Sequence, residues 1–218
     1  TAGAALVMMP DAAADYLAIK DNRFVNIGVG FNDKALPFIG VLLLATRRVD
    51  VTGNLFANVA RQALISPLRV TIMTLATREV HVAGNRLHGI GPMDSFNRRT
   101  VGIGIAPGFA DAALDGNTVS RVNAATEKIG TAEWQAILVL GAVGEEKGTL
   151  NMAVPGAVLF MTKSGSIYLT AAQIAWLSGS LGSAMVRGNR LTSTESLLPA
   201  AEIVAVEGCL FDQNDVRV

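Results

Sequence analysis

An all-β solenoid of parallel strands is the fold class this sequence predicts, and three observations predict it. A pattern of apolar, any, apolar, any, Gly or Asp, Asn, any, apolar recurs along the chain. A second short apolar run stands at a constant offset before most copies. Gly and Asn recur inside the pattern, and a Gly in a helix interior costs about 1 kcal/mol, so a helical repeat is disfavoured.

Six stretches carry the pattern: Leu17–Phe24 (LAIKDNRF), Val49–Phe56 (VDVTGNLF), Val80–Leu87 (VHVAGNRL), Ala112–Val119 (AALDGNTV), Ala184–Leu191 (AMVRGNRL) and Val204–Phe211 (VAVEGCLF). Ile167–Ile174 (IYLTAAQI) reads as a degenerate seventh copy. The first four Asn positions are Asn22, Asn54, Asn85 and Asn117, giving steps of 32, 31 and 32 residues. The later steps are 55, 17 and 20 residues, with Ala172, Asn189 and Cys209 in the Asn slot. Alternation such as Val49, Val51 and Val80, Val82 is the period of a strand with one buried face.

The preceding runs begin ten residues before their copies: Ile39 before Val49, Val70 before Val80, Gly102 before Ala112 and Ala157 before Ile167. Val7 stands likewise before Leu17. Each repeat is therefore read as two short strands joined by a brief corner, followed by a longer excursion. One such unit buries too little to stand alone, whereas stacked units share a continuous core. The Gly-Asn pair suits the corner, because Gly takes positive φ freely and Asn tolerates it. Stacked at about 4.8 Å, the side chains of Asn22, Asn54, Asn85, Asn117 and Asn189 form a structural ladder along the axis.

These copies resemble the right-handed parallel β-helix proteins of the pectin-lyase-like superfamily, from about Leu6 to the end. The resemblance implies a right-handed parallel β-helix of about six to seven rungs, as a single domain over residues 1–218. It does not choose an activity, since that superfamily spans polysaccharide lyases and hydrolases, tailspikes, adhesins and modules without chemistry. Residues 141–156 break the register and read as an inserted loop or partial rung.

Composition narrows the function classes. Of 218 residues, 50% are apolar and 17% charged, which excludes a disordered chain or a nucleic-acid arm. Eighteen basic and eighteen acidic residues cancel, so no net field attracts polyanions. A single Cys209 excludes an internal disulfide framework and a cysteine-based zinc site. His81 and His88 alone cannot make a multi-histidine centre, so neither a metal nor a cofactor is expected. The longest apolar runs, Ile39–Ala45, Ala136–Val143 and Ala157–Met161, fall far short of the roughly 20 residues of a membrane span. The first residues read as a processed start or the boundary of a fragment, not a signal peptide.

Excursions at 26–38, 58–69, 88–100 and 121–135 should gather on one side, and loops on a rigid scaffold carry most sites. Aligning Val49, Val80 and Ala112 places Arg48, Glu79 and Asp111 in one outward row, and Asp50 and His81 in the next. Glu79 and Asp111 are the candidate acid and base of a carbohydrate-cleaving site, with His81 and Arg48 to neutralise negative charge. The competing reading is a charge ladder, which stabilises a sheet by roughly 0.2–1 kcal/mol per unlike pair. No catalytic role is carried over from the superfamily. Arg47 and Arg78 are like-charged neighbours that point to an anionic ligand or to plain solvation. Trp134, at the end of an excursion, is a candidate exposed ring for stacking on a sugar; Trp176 sits at a corner or in the stack. Cys209 reads as a small buried filler. Gly102–Gly108 lacks the Lys-Ser/Thr and the helix of a phosphate loop.

The ends of such a stack expose strand edges, and no capping helix is evident. The chain is thus expected to be part of a longer protein, or to meet further rungs or another chain at its ends. The reading that follows is a non-catalytic structural or recognition module of a larger extracellular or virion-like assembly. Nucleic acid and membrane are not expected partners. Two alternatives stay open: a polysaccharide lyase or glycoside hydrolase, and an oligomeric tailspike-like adhesin.

Overall fold

Every strand pairing among the described residues of the computed structural model is parallel. The structure describes residues 6–8, 15–28, 37–44, 46–93, 95–124, 127–141, 182–204 and 206–218. Their eighteen strands form three six-stranded sheets. Sheet 1 holds β1 (Leu6–Met8), β4 (Phe38–Leu44), β7 (Leu68–Leu75), β10 (Ser95–Ile105), β13 (Ala132–Leu140) and β16 (Ala201–Val204). Sheet 2 holds β2 (Tyr16–Lys20), β5 (Arg48–Thr52), β8 (Glu79–Ala83), β11 (Asp111–Asp115), β14 (Ser183–Arg187) and β17 (Gly208–Asp212). Sheet 3 holds β3 (Arg23–Val25), β6 (Leu55–Val59), β9 (Arg86–Ile90), β12 (Thr118–Ser120), β15 (Arg190–Thr192) and β18 (Asp215–Arg217). The described residues visit sheets 1, 2 and 3 in that order six times, which makes six described rungs and is consistent with a parallel β-helix.

The sequence pattern accounts for the corner between sheets 2 and 3. The residue before each corner Asn has positive φ: Asp21 57°, Gly53 67°, Gly84 62°, Gly116 62°, Gly188 64° and Gln213 53°. That left-handed turn is nearly free for Gly, which is why four of the six are glycines. At each of these corners but the last, the Asn backbone N–H and Nδ2 both donate to Oδ1 of the next Asn. The distances are 3.0 and 2.9 Å from Asn54 to Asn85, and 3.0 and 3.0 Å from Asn85 to Asn117. The ladder continues from Asn117 to Asn189 and from Asn189 to Asn214. Asn54, Asn85, Asn117 and Asn189 are each 1% exposed or less, so the ladder is a buried and fully used polar row.

Inward rows fill the core between the sheets. Ile19, Val51, Val82, Leu114 and Val186 stack from rung to rung in sheet 2, and Phe24 lies stacked on Phe56 with ring centroids 4.7 Å apart. Sheet 1 is buried on both faces in β4 and β7, with a second apolar cluster around Leu42, Val70, Met73 and Leu138. Such strands read as near-continuous apolar runs, as parallel strands covered on both sides do.

Two sequence expectations are corrected. Each rung has three strands, not two: the third, in sheet 3, lies where the excursions are expected to begin, as in Leu55–Val59. The last copy of the motif starts at Cys209, since Cys209 pairs with Ala184 and Asn214, not Cys209, occupies the ladder. Val204 belongs instead to β16 of sheet 1. The ladder passes directly from Asn117 to Asn189, and β11 pairs directly with β14. Residues 167–174, Ala157–Met161, Trp176 and 142–156 lie outside the described residues.

Buried arginines fasten the excursions. Arg69 donates to Thr100 Oγ1 (2.8 Å), to Ala63 O (2.7 Å) and to Arg98 O. Burial lowers it to about 10, so it stays charged at neutral pH. Arg121, also buried, donates to the carbonyls of Met93, Thr194 and Glu195, which joins rungs 3, 4 and 5. Carbonyl oxygens thus satisfy planar guanidinium donors that water cannot reach.

Candidate functional site

Alternation along sheet 2 sets every second side chain outward, and the register sets which of them meet. One outward row runs Tyr16, Arg48, Glu79, Asp111, Ser183, Gly208, and the next runs Ala18, Asp50, His81, Ala113, Met185, Leu210. The structure therefore places Glu79 between Arg48 and Asp111, and His81 beside Asp50, as neighbours one rung apart. Adjacent strands are about 4.8 Å apart, so these side chains are within reach of one another.

A groove of about 640 Å³ lies over this face, and its lining includes the charged or polar Arg48, Glu79, His81 and Asp111 and the apolar Ala113, Met185 and Leu210. A second recess of about 580 Å³ adjoins it, bordered by Asp15, Tyr16 and Arg47, and shares Arg48 and Glu79. Small side chains keep the groove open at Ala113, Ser183 and Gly208.

Within this face Asp50 is the hub. Tyr16 Oη donates to its Oδ2 at 2.7 Å and Arg48 Nε donates to its Oδ1 at 3.3 Å. Lys20 Nζ lies 3.7 Å from Oδ2 and His81 Nδ1 lies 3.7 Å from Oδ1. The Arg48 guanidinium also sits over the Tyr16 ring, 5.8 Å from its centroid. Burial pushes the Asp50 carboxyl up, but the bonds from Tyr16 and Arg48 and the charges of Arg48 and His81 outweigh it. The carboxyl is held below the usual aspartate range. Asp50 is 6% exposed, so its acceptor capacity faces the protein, not a ligand.

Glu79 and Asp111 differ from Asp50. Among the described residues neither makes an ion pair or a side-chain hydrogen bond, and both line the groove. Arg47 and Arg78 stand exposed at the corner leading into sheet 2, on neighbouring rungs: Arg78 N–H donates to Thr46 O and Glu79 N–H donates to Arg47 O. Among the described residues no three His, Cys, Asp or Glu side chains converge as metal ligands.

One expected position is not at this face, and Cys209 is not the buried filler expected. Trp134 is buried at 1% exposure in β13, and its Nε1 donates to Ile90 O at 3.0 Å, so it offers no ring to a ligand. Cys209 is exposed, on the last described rung, and lines the groove. It holds an inward register position, but no described rung covers it. Burial raises its thiol above the usual range, so it is a poor thiolate at neutral pH. Sequence reasoning missed Tyr16, Lys20, Ser183, Met185 and Leu210. Extending the alignment of Val49 to Leu17, Ala184 and Cys209 brings all five into register. No family model, curated protein or solved structure matches this chain, so the site stands on its own geometry.

Proposed function

We propose that this chain is a non-catalytic structural and recognition module of a larger extracellular or virion-like assembly. In this reading it coils as a right-handed parallel β-helix of the pectin-lyase-like kind. Right-handedness is supported by the near-universal hand of crossovers between parallel strands. The recognition surface is the groove over sheet 2. One observation carries the non-catalytic reading: the most elaborated carboxylate of that face, Asp50, is spent on Tyr16, Arg48, Lys20 and His81. A catalytic acid or base needs a free face toward its substrate. The half-exposed Phe211 and Val216 on rung 6, at inward register positions, support contact with further rungs or another chain there.

A second reading, a lyase or hydrolase acting on acidic polysaccharide, is favoured by Glu79 and Asp111, which line the groove one rung apart beside His81. Incubation with a panel of neutral and acidic polysaccharides, read for new reducing ends and unsaturated uronates, separates the two. The recognition reading expects no cleavage. Cleavage that Glu79→Gln abolishes while unfolding is unchanged would replace it with the enzyme.

A further inference from the structure

The groove and the recess beside it meet at Arg48 and Glu79, and their lining changes in order along the stack. At rung 2 the lining is basic, with Arg47 and Arg48, and Asp15 of rung 1 also lines the recess. At rungs 3 and 4 it is acidic, with Glu79 and Asp111 as register neighbours beside His81. At rungs 4 to 6 the row Ala113, Met185, Leu210 is apolar, and Leu210 is 51% exposed. Like charges on directly opposed strand positions repel. Among the described residues no cation is paired with Glu79 or Asp111, and no carboxylate with Arg47. A cation between Glu79 and Asp111 relieves their repulsion, and an anion at Arg47 makes charge-assisted hydrogen bonds. An alkyl chain over Met185 and Leu210 removes apolar surface from water.

Resting on the recognition reading, we propose that this groove binds a zwitterionic amphiphile of the betaine type, in which the ammonium lies between the anion and the apolar chain. The anion goes to Arg47 and Arg48, the ammonium to Glu79 and Asp111, and the chain runs along Ala113, Met185 and Leu210. The order of charges is the recognition element, because the stack presents basic, acidic and apolar lining in sequence.

Calorimetric titration of the whole chain tests this with four probes below their micelle-forming concentrations: octyl sulfobetaine, octyl phosphocholine, octyltrimethylammonium and octyl sulfate. Octyl phosphocholine carries the same charges in the reverse order. Octyl sulfobetaine should bind about tenfold more tightly than each of the others, the size of one charge-assisted contact. Asp111→Asn should weaken octyl sulfobetaine and octyltrimethylammonium several-fold and leave octyl sulfate unchanged. Arg47→Ala should weaken octyl sulfobetaine and octyl sulfate and leave octyltrimethylammonium unchanged. Both side chains are exposed, so unfolding temperatures serve as the folding control. Equal binding of the two zwitterions, or loss of neither in the variants, overturns the proposal. Polysaccharide cleavage tests the recognition reading separately, so the two can fail independently.

Discussion

Two polar rows run the length of this stack with the same rung period, and they behave in opposite ways. The corner ladder of Asn54, Asn85, Asn117 and Asn189 is buried, and each amide carries bonds to both neighbouring rungs. The outward row of sheet 2, with Arg48, Glu79 and Asp111, lies at the surface of a groove, where water stands in for any missing partner. A lost partner costs a buried polar group its full desolvation penalty, while an exposed ion pair contributes little. The buried row therefore fixes register and stability, and the exposed row is free to vary for recognition.

The contrast breaks first at the ladder. Asn85→Ala removes the acceptor of the Asn54 N–H, one of the acceptors of Asn54 Nδ2 and a donor to the Val51 carbonyl. It should cost about 3 kcal/mol and lower Tm by roughly 6–12 °C in thermal unfolding. Asn22→Ala, at the exposed end of the same ladder, should cost well under half of that.

Next in size is a glycine beside a second, exposed amide row. Asn123 Nδ2 donates to Asn58 Oδ1 at 2.8 Å, and Asn58 Nδ2 to Asn26 Oδ1 at 3.0 Å. The Asn123 amide passes over Gly89, where an added Cβ would stand 2.3 Å from Asn123 Oδ1 at a φ of +62°. Gly84 has the same φ with nothing within 4 Å. Gly84→Ala should therefore cost about 1 kcal/mol from backbone strain alone, and Gly89→Ala about 2 kcal/mol. In an Asn123→Ala background the two should converge, which denaturant titration of the double variants would show.

Asp50 sharpens the comparison from the surface side, being a nearly buried member of the outward face. Its lowered value means that it stabilises the fold above the ordinary aspartate range and loses that contribution as pH falls through its own value. Asp50→Asn should cost about 1 kcal/mol at pH 7. The gap between wild type and variant should shrink as pH is taken from 6 to below 3.8, as unfolding across that range would record. The smallest effect belongs to Glu79→Gln and Asp111→Asn, each within about 0.5 kcal/mol of wild type.

How much of this is legible in the chain follows from what each residue does. The period-2 alternation around Val49, Val80 and Ala112 tells which side chains face out. The Gly-Asn corners set their register, so the neighbours Arg48, Glu79 and Asp111 can be read from the amino-acid pattern alone. The third sheet cannot, because β3, β12, β15 and β18 are three residues long and show almost no periodicity. Asn214 escapes the pattern because Gln213, not Gly, holds the positive φ before it. Trp134 reads as the end of a loop but lies two residues after β13 begins, and nothing local distinguishes the two. The arginine staples at Arg69 and Arg121 bind carbonyls from other rungs, as with Met93 and Thr194, a pairing that only the folded stack reveals.

Asp111 and Asn117 sit on the same rung, one in the groove and one in the ladder, so they share every global influence on the stack. Denaturant unfolding of Asp111→Asn and Asn117→Ala, measured side by side, tests the division between buried scaffold and free surface most directly. Asn117→Ala should lose at least about 2 kcal/mol more than Asp111→Asn. Equal losses in the two variants would contradict it.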